Sequence, residues 1–320
     1  MGQYWIFVNL DTRESRDCGK LREFVPFSHS GSVSGWLLTM LLPPAIEPKL
    51  DELNDRISRR ATRSRLGGDL GRLNIPTELL YMIFSELDCL EDVACLCIAN
   101  SALWVIGFAR VLELVKKHPA PWEGQRLIFV GDYTEDLPDG LLKPEETQEF
   151  EKFSTFYKFA YERYTESYRA YGKWGFSRPL RWNEREAFGL LAYPGILGYS
   201  GFEYSSSYYR DRKWLLCNLS KKEYVRSSKI LDTVADAIHL GDVLLSQIFC
   251  STHPSTSMCY EGDLHRGAWA GDCFVVWSVE ELEQHEKKDG TWKDVSEEVL
   301  KTVVEIWRSE RGPKWPEDQT

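Results

Sequence analysis

No apolar run in this chain approaches the roughly 20 residues that a membrane-spanning helix needs. The best of them, Trp36 to Leu42, is stopped by Pro43-Pro44. The opening residues MGQYWIFVNLDTRESRD turn charged at Asp11, so they lack the apolar centre and cleavage pattern of a signal peptide. Ile6 stands where an N-myristoylation pattern requires Ser or Thr. Neither a membrane anchor nor a secretory route is therefore expected. Cysteine is scarce as well: eight in 320 residues, irregularly spaced, with Cys95, Cys97, Cys217 and Cys250 inside apolar runs. Such residues read as reduced small hydrophobes and not as a disulfide framework, which points to the cytoplasm, the nucleus or both. Positive charge is in deficit, with 39 Lys and Arg against 49 Asp and Glu and a net charge of −10. The mean field repels phosphate backbones and anionic bilayers, so neither nucleic acid nor membrane is expected as a partner. The one basic concentration, Arg56, Arg59, Arg60, Arg63 and Arg65, reads as a solvated face of a linker.

Signatures of chemistry are missing too. There is no G-x-G-x-x-G after a strand, no phosphate loop ending in Gly-Lys-Ser/Thr and no H-E-x-x-H. Gly198-Tyr-Ser-Gly201 and Gly31-Ser-Val-Ser-Gly35 lack the G-x-S-x-G spacing of a nucleophile elbow. Cys250, His253, Cys259 and His265 fall as C-x2-H-x5-C-x5-H, without the tight paired knuckles of structural zinc sites. No cofactor, no metal and no bond chemistry is expected, and no solenoid or propeller repeat is legible.

What the chain does have is material for a core: 43% hydrophobic residues, 13% aromatics and twelve Trp. Strand-type runs occur at YWIFVNL (4–10), RLIFVGDY, WLLCNL, VLLSQIFCS and CFVVW, the first followed by a charged turn, DTRESRDCGK. Residues 28–35 and 43–72 read as loop and linker, and 173–212, rich in Gly, Pro, Ser and Tyr, as irregular. Residues 145–172 place Phe150, Phe153, Tyr157, Tyr161, Tyr164, Tyr168 and Tyr171 at steps of three and four, which predicts one long helix. A last helix is expected from Asp294, with Val299, Leu300, Val303, Val304 and Trp307 inward and a frayed tail from Gly312. Gly-Asp pairs at 131–132, 241–242, 262–263 and 271–272 read as turns at strand ends. Trp5 to Glu14 also echoes Trp214 to Glu223, with Trp, Asn, Leu and Glu identical, and this predicts two strand-and-turn units of one sheet.

Between these segments the pattern turns helical. Leu79, Leu80, Ile83, Phe84 and Leu87 form one broad stripe behind Pro76. A second helix opens at Asp88-Cys89-Leu90-Glu91, and a third runs from Asn100-Ser101 to Lys116, Lys117 and His118 before Pro119. Helices so few and so short cannot bury that whole stripe among themselves, so part of it must dock elsewhere.

The run Leu73-Asn-Ile-Pro-Thr-Glu-Leu-Leu-Tyr-Met-Ile-Phe-Ser-Glu-Leu87, with CLEDVACLCIANSALWVIGFARVLEL after it, resembles the F-box. Ile75 stands where that family usually has Leu. Stretches such as YWIFVNLDTRE, GDYTEDLP, NLSKKEYV, HRGAWAGDCF and WKDVSEEVL extend the resemblance to uncharacterised F-box proteins of filamentous fungi. Together the strand runs, the echo and the F-box-like segment predict an α+β chain with a three-helix F-box inserted in, or preceding, a mixed α+β body of several short strands. Residues 1–42 would belong with the body, 43–72 would be a linker, 73–118 the F-box, 119–311 the body and 312–320 a tail. The resemblance further implies docking on the Skp adaptor, and through it on a cullin-RING ubiquitin ligase, by Ile75, Pro76, Leu79, Ile83, Phe84, Leu87, Val93 and Leu96. The body would hold an unidentified protein substrate. An F-box interaction module acting outside a ligase, and an enzyme with an unfamiliar site in the body, stand beside that reading.

Overall fold

The computed structural model describes residues 2–21, 33–42, 54–55, 58–59, 70–88, 90–117, 120, 122–166, 213–234, 237–255 and 258–316. The chain is α+β and divides into two units: residues 1–42, 120–171 and 198–320 form one, residues 43–119 and 172–197 the other. The first is the body. Its leading run, β1 (Tyr4–Asn9), pairs antiparallel with β3 (Leu127–Gly131), so sheet formation joins segments on either side of the helical unit.

Among the described residues the body holds two sheets, not one. The first has the order β4-β2-β1-β3-β7, with β2 (Glu14–Lys20), β4 (Thr165–Glu166) and β7 (Phe249–Cys250). The second has the order β8-β5-β6-β9, with β5 (Trp214–Asn218), β6 (Glu223–Arg226), β8 (Phe274–Ser278) and β9 (Lys293–Asp294). The echo of Trp5–Glu14 in Trp214–Glu223 is therefore real as a pair of hairpins, β1–β2 and β5–β6, but each starts its own sheet. The repeat extends beyond the hairpin. Asn9 faces Leu127 across β1–β3 as Asn218 faces Phe274 across β5–β8, and Glu14 faces Thr165 as Glu223 faces Lys293.

Equivalent side chains perform equivalent tasks in the two copies. Asn9 Oδ1 accepts from the backbone of Asp11 and Thr12, and Asn218 Oδ1 from that of Lys221. Their amide nitrogens donate to Gln125 and Asp272 respectively. Trp122 Nε1 donates to Glu14 at 2.6 Å, and Trp269 Nε1 to Glu223 at 3.0 Å. Arg13 and Lys222 close the turns at φ of 54° and 55°, as do Gly124 and Gly271 in the loops leading to β3 and β8, at 71° and 85°. The copies meet at an isolated antiparallel bridge between Arg126 and Cys273. There the Gly124 amide donates to Phe274 and the Gly271 amide to Leu127, both at 2.8 Å. Such reciprocity is that of a local two-fold axis.

Period-two alternation explains the burial. Trp5, Phe7, Leu127 and Phe129 point into a large core that also takes Trp214, Leu216, Phe274 and Val276 from the second sheet. Helices α1 (Val33–Thr39), α7 (Ser227–Val234), α8 (Leu240–Gln247) and α10 (Ser296–Arg311) contribute Leu37, Ile230, Val243 and Val303 to it. Ile6, Val8, Ile128 and Val130 face the other way, against Phe156 and Phe159 of α6 (Phe156–Arg163). Leu215, Cys217 and Val275 similarly meet Leu282 of α9 (Val279–Asp289) and Trp292. Strands covered on both faces read as continuous apolar runs, as these do.

Several expectations need correction. The charged stretch after β1 is a turn followed by a strand, β2, which survives its polar composition because it pairs with β1 along its length. The long helix expected over 145–172 is two short ones, α5 (Pro144–Phe150) and α6, because Thr155 accepts from Lys158 N and starts a new helix. Of the expected inward series, Tyr164 is buried and Phe150, Phe153 and Tyr157 pack half-buried against the core, but Tyr161 is exposed because the second helix turns that position outward; Tyr168, Tyr171 and all of 173–212 lie outside the described residues. VLLSQIFCS is mostly helix, with only Phe249–Cys250 as strand, since His239 and Asp242 form a capping box at the start of α8. Gly241-Asp242 is thus a helix start, and Gly262-Asp263 lies in a loop away from any strand end. Val33 to Gly35 are helical and not loop, opening the core helix that ends at Thr39. The last helix begins at Ser296, two residues later than expected, with Asp294 bonded to Ser296. Beyond it the chain is not frayed through 316: Trp315 is 4% exposed and stacks on Trp307, because so large a ring gains more from the core than from water.

Candidate docking face

The described part of the helical unit includes α2 (Thr77–Ser85), α3 (Leu90–Ala99) and α4 (Ser101–Lys117). Their common core is Leu80, Phe84, Val93, Cys97, Trp104 and Val111, with smaller contributions around it. Gly107 is what lets α4 approach α2 and α3. A Cβ there would sit 2.5 Å from Phe84 Cζ and from Cys97 Sγ, which no relaxed packing allows. Asn100 caps α4 by accepting from Ala102 N at 2.8 Å. Trp104 stacks on Phe108 and donates to Asn54 Oδ1 at 3.1 Å, so part of the expected linker folds onto the unit. Of the basic run, Arg59 alone is described, in an exposed ion pair with Asp55.

Arg110 fixes the turn between α2 and α3. Its guanidinium donates twice to the carbonyl of Leu87, at 3.1 and 3.0 Å, and once to Asp88 at 2.7 Å. A fourth bond runs to Glu113 at 2.8 Å. Those bonds satisfy the carbonyl of Leu87, two residues beyond the end of α2, with a charged donor. The ridge that α2 presents is thereby held in one orientation.

That ridge is apolar and open. Leu79 is 45% exposed, Tyr81 53% and Met82 63%, with Val105 of α4 also exposed. Pro76 lies at the entry of α2 and is exposed, while Ile75, Ile83, Leu87 and Leu96 are half-buried against the unit's core. Two of the eight residues expected to touch a partner are placed elsewhere: Phe84 and Val93 are 2% and 0% exposed, inside the core. They shape the ridge from below. Tyr81 and Met82 were overlooked, although Leu79 and Met82 stand three apart on one helix face, a spacing visible in the sequence.

At four cysteines of the body, burial disfavours the thiolate. It pushes the Cys18 thiol up to about 12 and Cys250 up to about 11, and raises Cys217 and Cys273 as well. Cys250 and His265 are buried while His253 and Cys259 are exposed, and no group of three or more metal-ligating side chains occurs among the described residues. Nor is any helix among them long and apolar enough to cross a membrane. No family model matches the chain, and no curated protein or solved structure is significantly similar to it.

Proposed function

We propose that the chain is a substrate-recruiting adaptor of a Skp-cullin-F-box type ubiquitin ligase, acting in the cytoplasm or nucleus. The helical unit docks on the Skp adaptor, and the body holds the protein to be modified. Catalysis of ubiquitin transfer belongs to the partners; this chain contributes proximity, which raises the effective concentration of a substrate lysine. The observation that carries the reading is the open ridge of Pro76, Leu79 and Met82 on a helix followed by a turn that Arg110 holds. Side chains of that size left in water are unusual on a polar surface and mark interaction sites. Adaptor contacts of about 1,200–2,000 Å² depend on a few such central anchors.

Isothermal titration of the purified chain with a Skp adaptor tests the reading. Leu79→Asp and Met82→Asp are expected to lower affinity at least about 30-fold, since each desolvates a carboxylate at an apolar contact. Their melting temperatures should stay near wild type, because both side chains are exposed. A folded wild-type chain that does not bind refutes the proposal.

A further inference from the structure

The body contains a half-open cavity of about 560 Å³ beside the Trp269–Glu223 pair. Cavities of roughly 300–1,000 Å³ enclose most of a drug-sized molecule, which is also the scale of a short peptide segment. One wall comes from the second hairpin and its neighbour β9, through Lys221, Glu223 and Lys293. In the first copy of the repeat, Thr12 and Thr165 occupy the positions of Lys221 and Lys293. Glu223 is common to both copies and is committed to its tryptophan, so it is scaffold. The lysines are what distinguish this copy.

The opposite wall, residues 258–269, is tied down by its backbone. Gly267 N donates to Phe249 O at 2.7 Å, Trp269 N to Gln247 O at 2.8 Å, and Ser251 N to His265 O at 2.7 Å. A Cβ on Gly267 would collide with the Gln247 carbonyl, so the loop is pressed against the end of α8 and the cavity is preformed. Leu264, Trp269, Val295 and Val299 make the interior apolar. Among them sit hydrogen-bonding groups with spare capacity. Gln247 is only 8% exposed; one end of its amide donates to Ser246 Oγ at 3.3 Å, and the other has no partner among the described residues. The hydroxyls of Tyr260 and Thr302 likewise have none. None of these atoms is sealed from solvent, so a ligand that supplies a donor exchanges a hydrogen bond to water for one to the protein.

Charge is confined to the mouth. Lys221, Lys293 and Glu298 are 44%, 65% and 79% exposed, and Arg266 and Asp263 are exposed as well. Solvent screens groups like these, so they select neighbours more than they hold a ligand. A small charged metabolite would call for an uncommitted charge inside, and the interior has only Glu223, already engaged by Trp269.

We infer that this cavity binds an extended peptide segment: one tyrosine or tryptophan side chain seats its ring among Trp269, Val295 and Val299 and gives its O–H or N–H to the Gln247 amide, while charged neighbours of both signs meet the rim. This provides the recruiting body with a recognition site. Its biological role rests on the adaptor reading, but the binding itself is measured on the chain alone.

The test is capture of a positional-scanning library of capped tetrapeptides on the immobilised full-length chain, read by mass spectrometry. Tyr or Trp should be enriched at least about five-fold over Phe and Ala at one position, the discrimination one hydrogen bond supplies. Gln247→Leu and Gln247→Met, both close in size, should reduce that preference towards the Phe level, with folding checked by circular dichroism. If Gln247→Leu does not fold, Gln247→Met makes the same comparison. Equal capture of Phe and Tyr, selection of acidic residues alone, or no selection overturns the inference. Peptide capture without Skp binding leaves the site and removes the adaptor role; Skp binding without peptide capture does the reverse.

Discussion

Replacing Asp11 by Asn should destabilise the body by about 2 kcal/mol at neutral pH and by about half of that near pH 3. Asp11 lies in the turn of the first hairpin, 28% exposed, against Arg126 at the junction of the two repeats. Burial by itself would raise its pKa. Bonds from the Arg126 side chain at 2.8 and 3.0 Å, from the Arg126 amide at 2.9 Å and from Lys143 at 3.2 Å outweigh that and hold the carboxyl at about 2 instead of 3.8. Because the folded pKa lies below the unfolded one, the stabilisation is complete above the unfolded value and fades as pH falls towards 2. Arg126 keeps Glu146 at 3.1 Å in the variant, so no buried cation is stranded and the difference reports Asp11 itself. Urea unfolding of wild type and variant, followed by tryptophan fluorescence at pH 7, 4 and 3, measures it. The gap should be similar at pH 7 and 4 and about 1 kcal/mol at pH 3. A gap independent of pH, or below about 0.5 kcal/mol at pH 7, would refute the electrostatic account.

Two further substitutions probe the packing. Gly107→Ala gains about 1 kcal/mol of helix propensity yet should lower stability by about 1–2 kcal/mol net, because the new methyl meets Phe84 and Cys97; thermal melts of the variant decide the sign. Asn9→Ala and Asn218→Ala should each cost about 1–3 kcal/mol, since each unties a hairpin turn from the loop leading to β3 or β8. Similar losses in the two denaturation midpoints would support the equivalence of the repeats, and a neutral result at either site would contradict it.

Much of the fold was legible where one residue's environment is set by near neighbours. The apolar runs at Tyr4–Asn9, Trp214–Asn218 and Phe274–Ser278 are strands, and the stripes at 77–85 and 296–311 are helices. The similarity of Trp5–Glu14 to Trp214–Glu223 is a true repeat, and Trp122-x-Gly124 and Trp269-x-Gly271 would have extended it. Half of the exposed apolar ridge on α2 was legible for the same reason. Burial was not: Leu79, Phe84 and Met82 are all apolar residues of one helix, yet Phe84 is core and the other two are open, according to where α4 comes to lie.

By itself, then, the sequence determined where strands and helices form and which short pattern recurs, because period and capping act over a turn or a hairpin. Tertiary structure alone decided that the two hairpins begin separate sheets joined at Arg126 and Cys273. It also decided that β2 is a strand at all and that Gln247 faces a cavity. Those outcomes depend on partners far apart in the chain, and no local pattern encodes which partner arrives.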